Sequence, residues 1–137
     1  MSYFGKVDRV PIASSMIAVD LNDRLPAITQ RTLSDEDLAW NFDGHTDLGD
    51  AVQIVLMWPE GIWTIFLPPT AVRFSLPMFP DELASARPSG GLMLSSLELV
   101  DDDAYDGWVK LVSDGSFPID EAPDFPDQAT RVRYSGK

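Results

Sequence analysis

The sequence predicts a mainly β (or α+β) domain, an antiparallel sheet in a sandwich or barrel-like arrangement, with one or two short helices and an extended C-terminal tail. Three observations point there. Short stretches rich in β-branched and aromatic residues are separated by turn formers such as Asn22-Asp23. Two apolar runs, Ala51 to Trp58 and Ile62 to Leu67, flank the tight-turn sequence Pro59-Glu60-Gly61. Beyond Ser113, Pro118, Pro123 and Pro126 interrupt the chain while basic residues replace acidic ones toward Lys137.

Taken in order, Tyr3 to Ile12, Met16 to Leu21 and Leu25 to Leu33 have strand composition, with Pro11 and Pro26 favouring edge or irregular positions because proline cannot donate to a ladder. Ser34 to Phe42 predicts one or two helical turns. Ser34 is a capping residue and Asp35, Glu36 and Asp37 place negative charge in the first turn, where the helix dipole favours it. Ala51 to Leu67 predicts a hairpin with a short bulged loop in which Gly61 takes positive φ. Its strands are apolar on one face and nearly so on the other, with Gln53 the main polar exception, so cover on both sides and a central place in the sheet are expected. Thr70 to Leu76 alternates Val72, Phe74 and Leu76 with polar residues and predicts a half-exposed third strand. Pro80 to Ala86 predicts a short helix that ends at Pro88-Ser89-Gly90-Gly91. Leu92 to Val100 and Trp108 to Val112 predict two more strands joined by an acidic turn, Asp101-Asp102-Asp103. The domain division that results is a β-rich unit over 1–112 and an extended tail over 113–137.

Length and composition are consistent with this. A chain of 137 residues supports one hydrophobic core, and 45% hydrophobic with 23% charged residues is ordinary for a globular domain. The longest apolar stretch, Ile54 to Trp58, stops at Pro59, far short of the roughly 20 residues that cross a bilayer. Charged Asp8 and Arg9 come too early for a signal peptide. With no cysteine in the chain, disulfides and thiolate chemistry are excluded. A soluble, cytoplasmic protein without membrane partners is the expectation.

A net charge of −12 repels phosphate and argues against direct nucleic-acid binding. Between Leu33 and Ala86 the one basic residue is Arg73, and between Glu98 and Asp127 it is Lys110, so two acidic territories form. Such charge confers solubility, and it also suits docking on a basic protein surface.

Catalytic signatures are thin. His45 is the single histidine, no G-x-S-x-G surrounds a serine, and neither phosphate-binding glycine loop occurs. Asp43-Gly44-His45-Thr46-Asp47-Leu48-Gly49-Asp50 carries oxygen and imidazole donors, but Leu48 stands where the calcium loop needs glycine and no Glu closes it. Turn chemistry explains those residues, and a solvated turn explains Asp101, Asp102, Asp103 and Asp106, so neither metal nor cofactor is expected. Of Trp40, Trp58, Trp63 and Trp108, most belong in a core; Trp58 and Trp63 flank one turn and are the pair expected to project together.

Three functional classes follow. The first is a small acidic, non-enzymatic protein-binding module of inhibitor or immunity type that blocks a basic partner surface by occupancy, through Asp35, Glu36, Asp37, Asp101, Asp102, Asp103, Asp106, Trp58 and Trp63. The second is a self-associating structural subunit of a larger assembly, such as a viral particle, that uses its C-terminal arm. The third is a metal- or carboxylate-dependent enzyme centred on Asp43, His45, Asp47 and Asp50.

Overall fold

Pro59 and Glu60 form a two-residue turn that joins strands β4 (Ala51–Trp58) and β5 (Gly61–Leu67), paired antiparallel from Val52 opposite Leu67 to Trp58 opposite Gly61. This hairpin belongs to a computed structural model that describes residues 3–8, 24–34, 37–88, 91–103, 105–114 and 131–136. The strand expected over Met16 to Leu21 lies outside those residues, as do Asp35 and Glu36. Gly61 stands in the ladder itself and is not among the positive-φ glycines. Its value is space, because a Cβ there would come within 2.5 Å of Cζ2 of Trp58. The expected bulged loop is therefore a tight turn, with the Trp58 indole laid against the glycine.

The hairpin belongs to a five-stranded antiparallel sheet, in the order β1-β8-β7-β4-β5, with β1 at Tyr3–Asp8, β7 at Met93–Asp102 and β8 at Arg131–Gly136. On β7 the register slips between the pairs Val55–Ser96 and Leu56–Leu94, which leaves Ser95 as an extra residue. That bulge has a packing consequence: Leu94 and Leu97, three apart, would face opposite sides of a regular strand, yet both pack on the core. A second sheet, in the order β2-β3-β6, is formed by Ile28–Leu33, Asp37–Phe42 and Arg73–Ser75. Val52, Ile54, Leu56, Leu97 and Leu99 from the large sheet meet Ile28, Leu38 and Trp40 from the small one, with Leu25 beside them. The molecule is mainly β, two antiparallel sheets sharing a core, as the sequence predicts.

Three local expectations are corrected. The described residues of the Ser34 to Phe42 segment are not helical, since Asp37–Phe42 form β3. Ser34 N–H donates to the Asp37 carbonyl at 2.8 Å and Asp37 N–H donates to Ser34 Oγ at 3.1 Å, so the capping residue closes a hairpin turn into β3 instead. Leu38 and Trp40, buried at period two, decide the element. Trp108 to Val112 is not a strand but part of helix α1 (Gly107–Asp114), which buries Leu111 and starts at Gly107 with φ of +80°. Asp101 and Asp102 are not a turn, because β7 runs on through them and pairs them with Arg133 and Val132 of β8.

The remaining elements follow the sequence more closely. Pro80 to Ala86 yields a 3-10 helix at Asp81–Ala86, with Leu83 N–H donating to the Pro80 carbonyl. The third strand is shortened to β6 and lies in the small sheet. On β4 the inner residues Val52, Ile54 and Leu56 are buried, whereas outward Gln53 and Val55 are half-buried and Met57 is exposed. Only β4 is thus fully covered on one face; inward Trp63, Ile65 and Leu67 of β5 are half-buried, and β5 lies at the edge of the described sheet rather than at its centre. Of the predicted tail, Ser113 and Asp114 end helix α1, and Arg131–Gly136 form β8, which lies between β1 and β7. No helix among the described residues is long and apolar enough to cross a membrane.

Candidate functional site

The loop from Asp43 to Asp50 is held by its two end carboxylates. Asp43 N–H donates to the Ala27 carbonyl at 3.0 Å, and Ala27 N–H returns a bond to Asp43 Oδ1 at 2.7 Å, so this residue splices the loop to the chain entering β2. Asp50 is buried. Its Oδ2 accepts from Asp102 N–H at 2.7 Å and its Oδ1 from Gly107 N–H at 2.9 Å, while its own N–H donates to the Val100 carbonyl. Burial pushes the Asp50 carboxyl above its ordinary range; the two amides oppose that shift, and the charges of Asp101 and Asp102 add to it. His45 and Asp47 stand exposed between these anchors. Gly49 is pressed on Leu99, whose Cδ1 would lie 2.7 Å from an added Cβ. Among the described residues no group of three or more His, Asp or Glu gathers where it could hold a metal.

The acidic residues singled out in the sequence separate into different roles. Asp37 faces outward from β3, where its Oδ1 accepts from Ser75 Oγ and, at 3.3 Å, from Arg73 Nη2 on β6. The Ser75 hydroxyl, then the Arg73 guanidinium, hold this carboxyl below its usual range. Asp102 is buried and Asp101 half-buried in β7, so of the four acids in this stretch only Asp103 and Asp106 are exposed. Asp35 and Glu36 lie outside the described residues.

The aromatic expectation is met in its geometry. Trp58 and Trp63 touch edge to face, with ring centroids 5.6 Å apart and planes at 84°. Phe79 stacks on Trp63 at 5.4 Å and 23°, which extends the pair into a three-ring cluster. All three rings are partly exposed. Trp40, by contrast, is a core residue, and its buried Nε1 has no hydrogen-bond partner among the described residues.

One group escapes the sequence reading. Met57 on β4 is directly opposite Ile62 on β5 and Met93 on β7, and the three are 38%, 56% and 59% exposed. They form a row across three neighbouring strands on the outer face, at the same end of the hairpin as the rings on the inner face. Farther along the same face the cross-strand rows turn polar, first Val55 with Thr64 and Ser96, then Gln53 with Phe66 and Glu98. Seeing the apolar row requires the bulge at Ser95, which sets Met93 beside Met57. Exposed Glu60 occupies the adjoining turn, and exposed Asp81 and Glu82 follow Phe79 in the chain. Thioether and indole groups offer adaptable contact area rather than reactive chemistry, and the acids add charge at the border. No protein-family model matches this chain, and no curated protein or solved structure matches it either.

Proposed function

We propose that the chain is a non-enzymatic protein-binding module, of inhibitor or immunity type, that docks the end of the β4–β5 hairpin on a partner surface which is apolar at its centre and basic around it. The row Met57, Ile62 and Met93 carries this reading. Large apolar side chains exposed in register on three strands make a patch that water solvates poorly, and such patches mark contact sites. Methionine and tryptophan are also enriched at the centres of protein interfaces, where lysine and glutamate are depleted. The stacked rings of Trp58, Trp63 and Phe79 stiffen the hairpin end, which lowers the ordering cost of binding. Glu60, Asp81 and Glu82 supply the complementary charge, and Arg73, the one basic residue between 34 and 86, is engaged by Asp37.

Two observations favour this reading over the other two classes. An arm reaching to a neighbour conflicts with residues 131–136 pairing inside the chain's own sheet. Of Asp43, His45, Asp47 and Asp50, on which an enzyme would be centred, Asp43 and Asp50 are engaged in accepting backbone amides. Affinity capture from the native host tests the proposal when the wild-type chain is run beside the double variant Ile62→Glu, Met93→Glu. A basic protein retained by the wild type and lost by the variant supports docking here. Equal retention moves the interface elsewhere.

A further inference from the structure

We infer that Met57 and Met93 form a sulfoxidation site, where a hydroperoxide converts the paired thioethers to sulfoxides and turns the outer face of the hairpin end from apolar to polar. The two residues are directly opposite on β4 and β7, and they are 38% and 59% exposed. Side chains paired in this way have Cβ atoms within about 5.5 Å, so two flexible thioethers there share one patch. The pairing depends on the bulge at Ser95. Counted on from Val55 and Ser96 without that extra residue, Met57 would be opposite Leu94, which packs on the core, and Met93 would lie one position farther along.

Where methionine sits in this fold distinguishes such a site from oxidative damage to a core. Met57, Met78 and Met93 are the methionines among the described residues, and all three are exposed, Met78 at 96%. The buried hydrophobic residues are Leu, Ile, Val, Ala and Trp, with no methionine among those described. Sulfoxide formation inside a core disrupts packing, whereas on an outward side chain it changes the surface and leaves the packing in place. The chain has no cysteine, so its thioethers are its only sulfur atoms and no thiol of its own competes for oxidant. A thioether reacts without deprotonation, so access to the sulfur sets its rate.

In the reaction the sulfur lone pair attacks one oxygen of hydrogen peroxide. The S–O bond forms as the O–O bond breaks, and the other oxygen leaves as hydroxide and takes up the proton of the transferred oxygen to become water. The thioether is oxidised by two electrons and the peroxide is reduced by two. Reversal by a sulfoxide reductase takes two electrons from a pair of external thiols, which end as a disulfide with one water released. Each sulfoxide oxygen accepts hydrogen bonds from water, so of the row Met57, Ile62 and Met93 only Ile62 then stays apolar. The consequence for binding rests on the proposed docking through this face: the reduced face binds the partner and the oxidised face releases it.

Dilute hydrogen peroxide on the full chain, followed by peptide mapping in a mass spectrometer, is the first test. Met78 should gain one oxygen first, then Met93 and then Met57, in the order of their exposure, with the melting temperature retained. Retention of the intact chain on a hydrophobic-interaction column should fall, and should return after treatment with the two sulfoxide reductases, one for each epimer, and a dithiol. Met78→Leu should keep that shift in retention, whereas Met57→Leu, Met93→Leu should lose most of it. Oxygen on Met78 but on neither Met57 nor Met93, or a shift undiminished in the double leucine variant, would overturn the inference. With a captured partner, the oxidised Met78→Leu chain should bind at least about tenfold more weakly than the same chain reduced, the scale of losing an interface hot spot, and the reductases should restore binding. Equal binding of the two forms, while Ile62→Glu, Met93→Glu loses the partner, would overturn the switch. If that glutamate variant binds like the wild type, docking through this face fails and the switch with it, and mapping and retention decide the sulfoxidation site by themselves.

Discussion

Gly107 N–H donates to Asp50 Oδ1 at 2.9 Å across 57 positions of sequence, so a buried carboxylate between the Asp43 loop and β4 fastens the first residue of α1. The same carboxylate holds Asp102 N–H at the end of β7. Asp50→Ala should therefore leave two amides without their acceptor and lower stability by about 1–3 kcal/mol, the usual cost of stranding buried polar groups. Urea titration checks the size, and amide exchange should show Gly107 losing protection first.

The pH dependence of this contact has a definite sign. The folded-state value for Asp50 lies above its ordinary 3.8, so the folded chain holds the proton more tightly than the unfolded chain does. The stability linked to Asp50 is therefore fully present below the unfolded value and is lost as pH rises through the folded one. Asp50→Asn cannot titrate and lacks this dependence. The stability of the wild type relative to Asp50→Asn should grow as pH falls across that window, as measured by urea melts at several pH values. A gap that narrows on acidification would contradict the assignment.

Gly61→Ala should force the Trp58 ring aside, since the new Cβ would sit 2.5 Å from Cζ2 of that indole. The expected loss is about 1–3 kcal/mol, the range for overpacking. Circular dichroism adds a specific readout, because the exciton coupling of the edge-to-face Trp58–Trp63 pair should weaken along with the stability.

Leu56→Ala should cost about 2–5 kcal/mol, as emptying a core site does, because Leu56 is 1% exposed. Met57→Ala, one residue on and on the open face, should change stability by roughly 0.5 kcal/mol or less. Chemical denaturation of the two variants tests the register of β4 directly, and a reversal of the two values would put the wrong face inward.

The hairpin was legible in the sequence because its turn is local: Pro59-Glu60-Gly61 closes two apolar runs that meet nowhere else. Trp58 and Trp63 were legible as a pair for the same reason. β3 was not, because a serine followed by three acids reads as a helix start, whereas Ser34 in fact bonds Asp37 across a hairpin turn. The alternation of Leu38 and Trp40 was the better signal. α1 was misread because Trp108 to Val112 is short and largely apolar, and what starts the helix, Asp50, lies far away in sequence. Asp102 is the costliest of these errors. Read as part of an exposed turn it would tolerate reversal to lysine; buried in β7, it would not. Asp103 and Asp106 are the exposed positions at which to reverse charge. The Met57, Ile62 and Met93 row depends on a one-residue bulge, a register detail that local patterning does not specify.

Electrostatic steering by the exposed acids predicts that association with the proposed basic partner slows steeply as salt rises, while dissociation changes much less. Asp103→Lys with Asp106→Lys, or Glu60→Lys with Asp81→Lys and Glu82→Lys, identifies which border contributes. The set nearer the partner should lower the on-rate more, with the melting temperature retained in both.

The measurement closest to the central claim is the dissociation constant of that partner for the wild type and for Ile62→Glu, Met93→Glu, with folding verified by melting temperature. The account predicts a loss of at least about tenfold, on the order of 1.4 kcal/mol, arising mainly from faster dissociation. An unchanged constant for a folded double variant would contradict docking through the hairpin end.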